Sequence, residues 1–180
     1  MLKERLFSPY GIKLEPFTSE EMSRGKTPDF KLILNDECVA LCELKSPRDD
    51  WLDEKANEAS LCKIYGGLRN DPIINKIRRH IKKAAEQFEA VDSERNLPHI
   101  LLFFNHDDLS DKEDLFAAIN GIYTNGIPFT PIASRAAREA AAAWIDLIIW
   151  IDEANWNLSQ WKNNDREGFA VRASFSFIER

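Results

Sequence analysis

Two short β-prone runs, parted by three polar residues, constrain this chain more than any other feature. Phe30-Lys31-Leu32-Ile33-Leu34 and Cys38-Val39-Ala40-Leu41-Cys42-Glu43-Leu44 flank Asn35-Asp36-Glu37. Branched and aromatic side chains suit a pleated strand, and Asn and Asp tolerate the left-handed backbone that a tight loop demands. The segment is therefore predicted to be an antiparallel hairpin. If all three polar residues form the loop, Leu34 pairs with Cys38, and counting outward sets Asp29 opposite Glu43. Directly opposed residues hold their Cβ atoms about 4.5–5.5 Å apart. A two-residue loop would slip that register by one.

Alternation along the second run puts Val39, Leu41, Glu43 and Lys45 on one face and Cys38, Ala40, Cys42 and Leu44 on the other. Both faces stay apolar until the last positions, the pattern of a central strand covered on both sides. Charges at the end of such a strand are costly unless they are paired, hydrated or bound to a metal. A Glu-x-Lys tripeptide alone is an ion pair where a strand meets solvent. Preceded by Pro28-Asp29, with a hairpin between, it takes a second meaning. Two carboxylates can hold a hard cation while an ammonium group sits beside the attacking water, the set that metal-assisted phosphodiester hydrolysis uses.

At 180 residues the chain fits a single domain over 1–180, long enough for a sizeable core. A hydrophobic share of 44% with 30% charged residues argues against disorder. The net charge of −6 runs against the basic surface that drives phosphate binding, so any contact with nucleic acid has to come from a local patch. Cys38, Cys42 and Cys62 make no even-numbered disulfide framework, and the first two act as small apolar residues. The N-terminus lacks the apolar core of a signal peptide and no segment approaches a membrane span. A reducing, cytoplasmic setting without membrane contact is the expectation.

Leu2 to Phe7 suits a short amphipathic helix, Gly11 to Glu15 a first strand ended by Pro16, and Thr18 to Gly25 a loop or one helical turn. After Lys45, Ser46-Pro47 opens a long irregular connection, of a length that is uncommon unless functional. Ile73 to Val91 is the strongest helix, with Ile73, Ile74, Ile77, Ile81, Ala84, Ala85 and Phe88 on one apolar face. Asn70 or Asp71 can cap it ahead of Pro72. Beside that face runs a polar stripe of Lys76, His80, Lys83 and Gln87, broadened by Arg78, Arg79 and Lys82. It is the one concentrated basic patch in the sequence. A solvated helix face is one reading; phosphate contact through Lys76, Arg79 and Lys83, with Gln87 hydrogen bonding toward the carboxylates, is the other. His80 reads as a helix-surface histidine.

Ile100 to Phe104 is a continuous apolar run typical of a buried parallel strand, closed by turn residues Asn105-His106-Asp107-Asp108. Asp111 to Tyr123 then reads as a helix. Ser134 reads as the cap of an alanine-rich helix over Arg135 to Ala143. Asp146 to Ile151 reads as another buried strand and Phe169 to Phe177 as a one-sided one. Trp156 and Trp161 read as cover for a sheet edge or core.

Pro28-Asp29, Glu43-Leu44-Lys45, the helix bearing Lys83 and Gln87, and the strand at Ile100 to Phe104 together resemble the PD-(D/E)XK nuclease superfamily. The order of short helix, three strands, long helix and strand resembles it too. The resemblance implies an α/β fold: a restriction-endonuclease-like core over about 1–105, with a mixed central sheet flanked by helices, and an α/β extension over about 106–180. It implies Mg2+ (or Mn2+) held by Asp29, Glu43 and the backbone carbonyl of Leu44. Asp29, Glu43 and Lys45 are then catalytic, Gln87 and Lys83 accessory, and an N-terminal acid such as Glu4, Glu15 or Glu20 a further ligand. The partner implied is nucleic acid, DNA before RNA, with a homodimer as an open alternative.

Two other readings remain: a nuclease-like binding or interaction module without turnover, and an α/β interaction protein in which Glu43–Lys45 is purely structural.

Overall fold

The computed structural model describes residues 6–47, 72–106, 110–124, 127–129, 131–153 and 158–162. The expected helix start at Leu2, the long connection from 48 onward, Trp156 and the strand over 169–177 lie outside them, as does Glu4.

The hairpin forms: β2 (Phe30–Leu34) pairs antiparallel with β3 (Glu37–Lys45). Its loop is two residues, not three. Asn35 and Asp36 have φ of 51° and 65°, as a type I′ turn requires, and Leu34 pairs with Glu37. The register near the turn is thus slipped by one from the three-residue expectation. A β-bulge then reverses the slip. Ile33 pairs with Cys38 but Leu32 pairs with Ala40, which leaves Val39 as the extra residue. From there Phe30 faces Cys42, so the next step outward is Asp29 beside Glu43. The bulge also corrects the expected faces. Cys38 packs with the Leu41 cluster, while Val39 joins Ala40 and Cys42 on the other side.

β1 (Lys13–Pro16) flanks β2 antiparallel, and a capping box between Thr18 and Glu21 starts the one-turn helix α1 (Ser19–Ser23). The long helix α2 (Pro72–Val91) leads to β4 (His99–Asn105), which lies parallel to β3. Two further helices, α3 (Lys112–Asn120) and α4 (Ile132–Trp144), bracket a small hairpin of β5 (Ile122–Thr124) and β6 (Ile127–Phe129). β7 (Leu147–Asp152) adds parallel to β4, and β8 (Leu158–Lys162) antiparallel to β7. The result is an α/β protein with a six-stranded mixed sheet in the order β1-β2-β3-β4-β7-β8, flanked by helices. Strands from beyond residue 105 belong to the same sheet as those before it, so the presumed extension is continuous with the core. Trp161 packs on the core from edge strand β8.

One sheet face carries α2, α3 and α4. Ile73, Ile77, Ile81, Ala84 and Phe88 meet Leu41, Leu101, Phe103, Ile148 and Trp150 there. Truncating one such isoleucine to alanine costs roughly 2–5 kcal/mol, so α2 is held against the sheet by its apolar face. The polar stripe of Lys76, His80, Lys83 and Gln87 runs beside that face. The second face joins Ala40, Cys42, Ile100, Leu102 and Ile149 to Phe7 and Ile12.

Two helix boundaries differ from expectation. α3 stops at Asn120 because Gly121, with φ of 88°, breaks it, and Ile122 to Thr124 then turn into a strand. Ser134 is not a cap: Pro131 precedes the helix, and Ser134 is buried in its first turn with Oγ donating to the Ala117 carbonyl.

Below the sheet, at the β4 start, Asp92 accepts from the Asn96 and Leu97 amides and faces His99 Nε2, while His99 Nδ1 faces the Trp144 carbonyl. This buried clasp lies at the other end of β4 from Phe103 and serves the fold. At the upper end Asn105 closes its turn by donating to the Ser110 carbonyl and to Asp152. No helix among the described residues is long and apolar enough to cross a membrane.

Candidate functional site

Asp29 enters the site because Pro28 is buried and ends the preceding loop, delivering the aspartate to the first position outside β2. Glu43 and Lys45 enter because β3 keeps strict alternation after its bulge. The Asp29 amide donates to Glu43 Oε2 at 2.9 Å, and the Leu44 amide donates to Asp29 Oδ2 at 2.9 Å. Lys45 Nζ donates to Glu43 Oε1 in a close ion pair. The three side chains expected to converge do so.

Their electrostatics are unequal. Glu43 is fully buried, and that burial pushes its carboxyl above the usual carboxylate range. Lys45 pulls it back, and the charge of Asp29 adds to the upward push. Lys45 itself is 12% exposed, so its charge acts with little solvent screening. A buried carboxylate beside a second one is a poor place for two negative charges unless a cation neutralises them.

The donor set suits a hard divalent ion. Asp29, just outside β2, and Glu43 on β3 offer carboxylate oxygens, and Leu44, which follows Glu43 in sequence, offers a backbone carbonyl. Asp29 Oδ1 accepts no hydrogen bond among the described residues. Of the additional acids, Glu20 pairs with Arg24 and Glu15 sits on β1 opposite Lys31, away from the pair. Among the described residues no three His, Cys, Asp or Glu side chains form one group. Asp29 and Glu43 are thus a two-carboxylate set.

Beside them is an open cleft of about 390 Å³ lined by Ser46, Lys76, Arg79, His80 and Lys83. Ser46 follows Lys45, which connects the cleft to the end of β3. Of the expected phosphate contacts, Lys76, Arg79 and Lys83 all line it. Arg78 does not: its guanidinium reaches the Ala118 carbonyl and Asn75. His80 is no plain surface histidine. It is half-buried, its ring edge-on to Phe103 with centroids 6.3 Å apart. Burial, then the charges of Lys45, Arg79, Lys83 and Lys76, hold its imidazole down at about 4. The spacing of His80 from Lys76 and Lys83 was the signal that could have placed it here.

Gln87 lies further along the same stripe and is not aimed into the cleft. Its Nε2 donates to the Thr27 carbonyl at 2.6 Å, two residues before Asp29, while its buried Oε1 has no hydrogen-bond partner among the described residues. The neighbouring Lys26–Glu86 ion pair, at 2.5 Å, fastens the same loop to α2. Gln87 therefore acts on the segment that carries Asp29.

No family model, curated protein or solved structure matches the chain.

Proposed function

We propose that this chain is a divalent-metal-dependent nuclease with a PD-(D/E)XK-type, restriction-endonuclease-like core, hydrolysing phosphodiester bonds of nucleic acid, DNA foremost. The single observation that carries the reading is the convergence of Asp29, Glu43 and Lys45 at the end of β3, next to a cleft lined with three cationic side chains.

Asp29, Glu43 and the Leu44 carbonyl would hold Mg2+ or Mn2+. The chemistry such an ion supplies is polarisation of phosphate oxygens and a lowered pKa for water. Lys45 is the chain's own contribution at the reacting centre. Its ammonium group is set by Glu43, is largely shielded from solvent, and places positive charge where a phosphate gains negative charge. Lys76, Arg79 and Lys83 hold the strand by its phosphates, which positions it without reading its sequence. The net charge of −6 is then a property of the remaining surface.

One observation favours a rival, a nuclease-like module that binds nucleic acid without cleaving it: both Glu43 oxygens already have protein partners, Lys45 and the Asp29 amide. Incubating the protein with plasmid, single-stranded DNA and RNA, in Mg2+, Mn2+ or EDTA, separates the two. Cleavage should require the ion and should fall by about 10²–10³-fold in folded Glu43→Ala and Lys45→Ala proteins. Metal-independent binding without any cleavage would establish the rival.

A further inference from the structure

We propose that the cleft between the end of β3 and α2 is a site for nucleic-acid phosphate groups in which binding is coupled to proton uptake by His80. The identity of the anion rests on the nuclease reading; the coupling rests on the cleft itself.

The cleft holds a hydroxyl, an imidazole and three cations: Ser46, His80, Lys76, Arg79 and Lys83. Its volume of about 390 Å³ falls within the size range of small-molecule pockets. The groups facing His80 come from three elements. β3 contributes Lys45; α2 contributes Lys76, Arg79 and Lys83; β4 contributes the apolar ring of Phe103. On β3 the acid nearest in sequence is Glu43, whose oxygens are taken by Lys45 and the Asp29 amide. His80 is thus surrounded by positive charge, and it stays neutral at pH 7 because burial and four cations oppose its protonation.

A phosphate entering this cleft reverses that balance. Its negative charge offsets the lysines and arginine, and an imidazolium N–H becomes a charge-assisted donor to a phosphate oxygen. The proton comes from solvent and rests on a ring nitrogen; no bond of the ligand changes. A group whose pKa is higher in the bound state than in the free state takes up a proton on binding, so affinity rises as the pH falls between the two values. If the phosphate returns the imidazole from about 4 to its ordinary 6.5, affinity rises roughly tenfold between pH 7.5 and pH 5.5.

A tetramethylrhodamine-labelled single-stranded oligonucleotide in EDTA at fixed salt is the probe, read by anisotropy. Its internal phosphodiesters do not titrate in this range. Since Glu43 has its own raised carboxyl, the comparison is Glu43→Gln against Glu43→Gln/His80→Gln. Expected is a roughly tenfold gain from pH 7.5 to 5.5 in the first protein and a ratio near one in the second. Absence of binding, or the same pH dependence in both, would overturn the proposal. Wild-type protein supplies a check that needs no double variant: the imidazole C–H resonance of His80 should titrate at higher pH with the oligonucleotide than without it. An unchanged midpoint would likewise overturn it. Because no metal is present, the outcome is separable from turnover. Proton-linked binding without metal-dependent cleavage supports this site and rejects the nuclease reading; pH-independent binding by an active nuclease rejects the coupling alone.

Discussion

Asp29 and Glu43 are tied to each other through backbone amides: the Asp29 amide donates to Glu43 Oε2 and the Leu44 amide to Asp29 Oδ2, both at 2.9 Å. Each carboxylate is therefore oriented by the strand that carries the other. Such cross-tying sets two acids side by side, which would lower the ordering cost of binding a cation between them. The same arrangement has a folding cost, because burial of Glu43 outweighs what Lys45 and the Asp29 amide return to its charge.

That cost makes a stability prediction. The folded-state carboxyl of Glu43 is raised above its ordinary 4.5, so the folded protein holds this proton more tightly than the unfolded chain. Stability associated with the neutral carboxyl is present below pH 4.5 and is lost as the pH rises through the folded value. In EDTA, Glu43→Gln should melt above the wild type at pH 7.5, and the gap should close toward pH 4.5. Circular dichroism melts at a series of pH values measure this. A Gln variant that melts lower at pH 7.5 would mean that the Lys45 bridge outweighs burial.

On the nuclease reading, Gln87 would position Asp29 through its hydrogen bond to Thr27. Gln87→Met preserves volume, removes the donor to the Thr27 carbonyl and also removes the unpartnered Oε1. The lost hydrogen bond should cost about 1 kcal/mol in urea denaturation. Turnover should fall about tenfold with KM unchanged, as expected when an acid is displaced by a fraction of an ångström. An unaltered kcat would reduce Gln87 to a structural tie.

The turn offers a test of the hairpin that aligns the site. Asp36 sits at φ of 65° with its carboxylate 94% exposed, and its contact with Lys13 is 3.8 Å long. Such an exposed pair contributes little. Asp36→Gly should stabilise the protein by about 0.5–1 kcal/mol in equilibrium unfolding, since glycine adopts this backbone without strain. A loss of stability would contradict the type I′ assignment.

Salt dependence distinguishes cleft cations from structural ones. Arg79→Ala and Lys83→Ala should each reduce the slope of log affinity against log salt by about one. Arg78→Ala, which loses contacts to Ala118 and Asn75, should lower stability and leave the slope unchanged. Equal effects from all three would indicate a diffuse helix charge.

Much of this was legible in local pattern. The β-prone runs, the polar turn and the period of α2 predict the hairpin and the helix, because both depend on neighbours close in sequence. The loop length and the bulge were not legible, since each shifts the register by one and only their sum reaches Asp29 and Glu43. A two-residue turn with one bulge thus brings together the same pair as a three-residue loop would. α3 ends at Asn120, short of the expected Tyr123, because Gly121, a weak signal alone, decides its end. Gln87 shows the other limit: helical spacing puts it on the polar stripe, but its partner is a carbonyl 60 residues earlier in the chain, brought there by tertiary folding.

Whether Asp29 and Glu43 jointly hold a divalent cation is decided by calorimetric titration of Mn2+ into metal-free protein. Binding to the wild type is expected, lost in Asp29→Asn and in Glu43→Gln and retained in Lys45→Met. Absence of Mn2+ binding to the folded wild type, or binding that survives both carboxylate substitutions, would contradict that expectation.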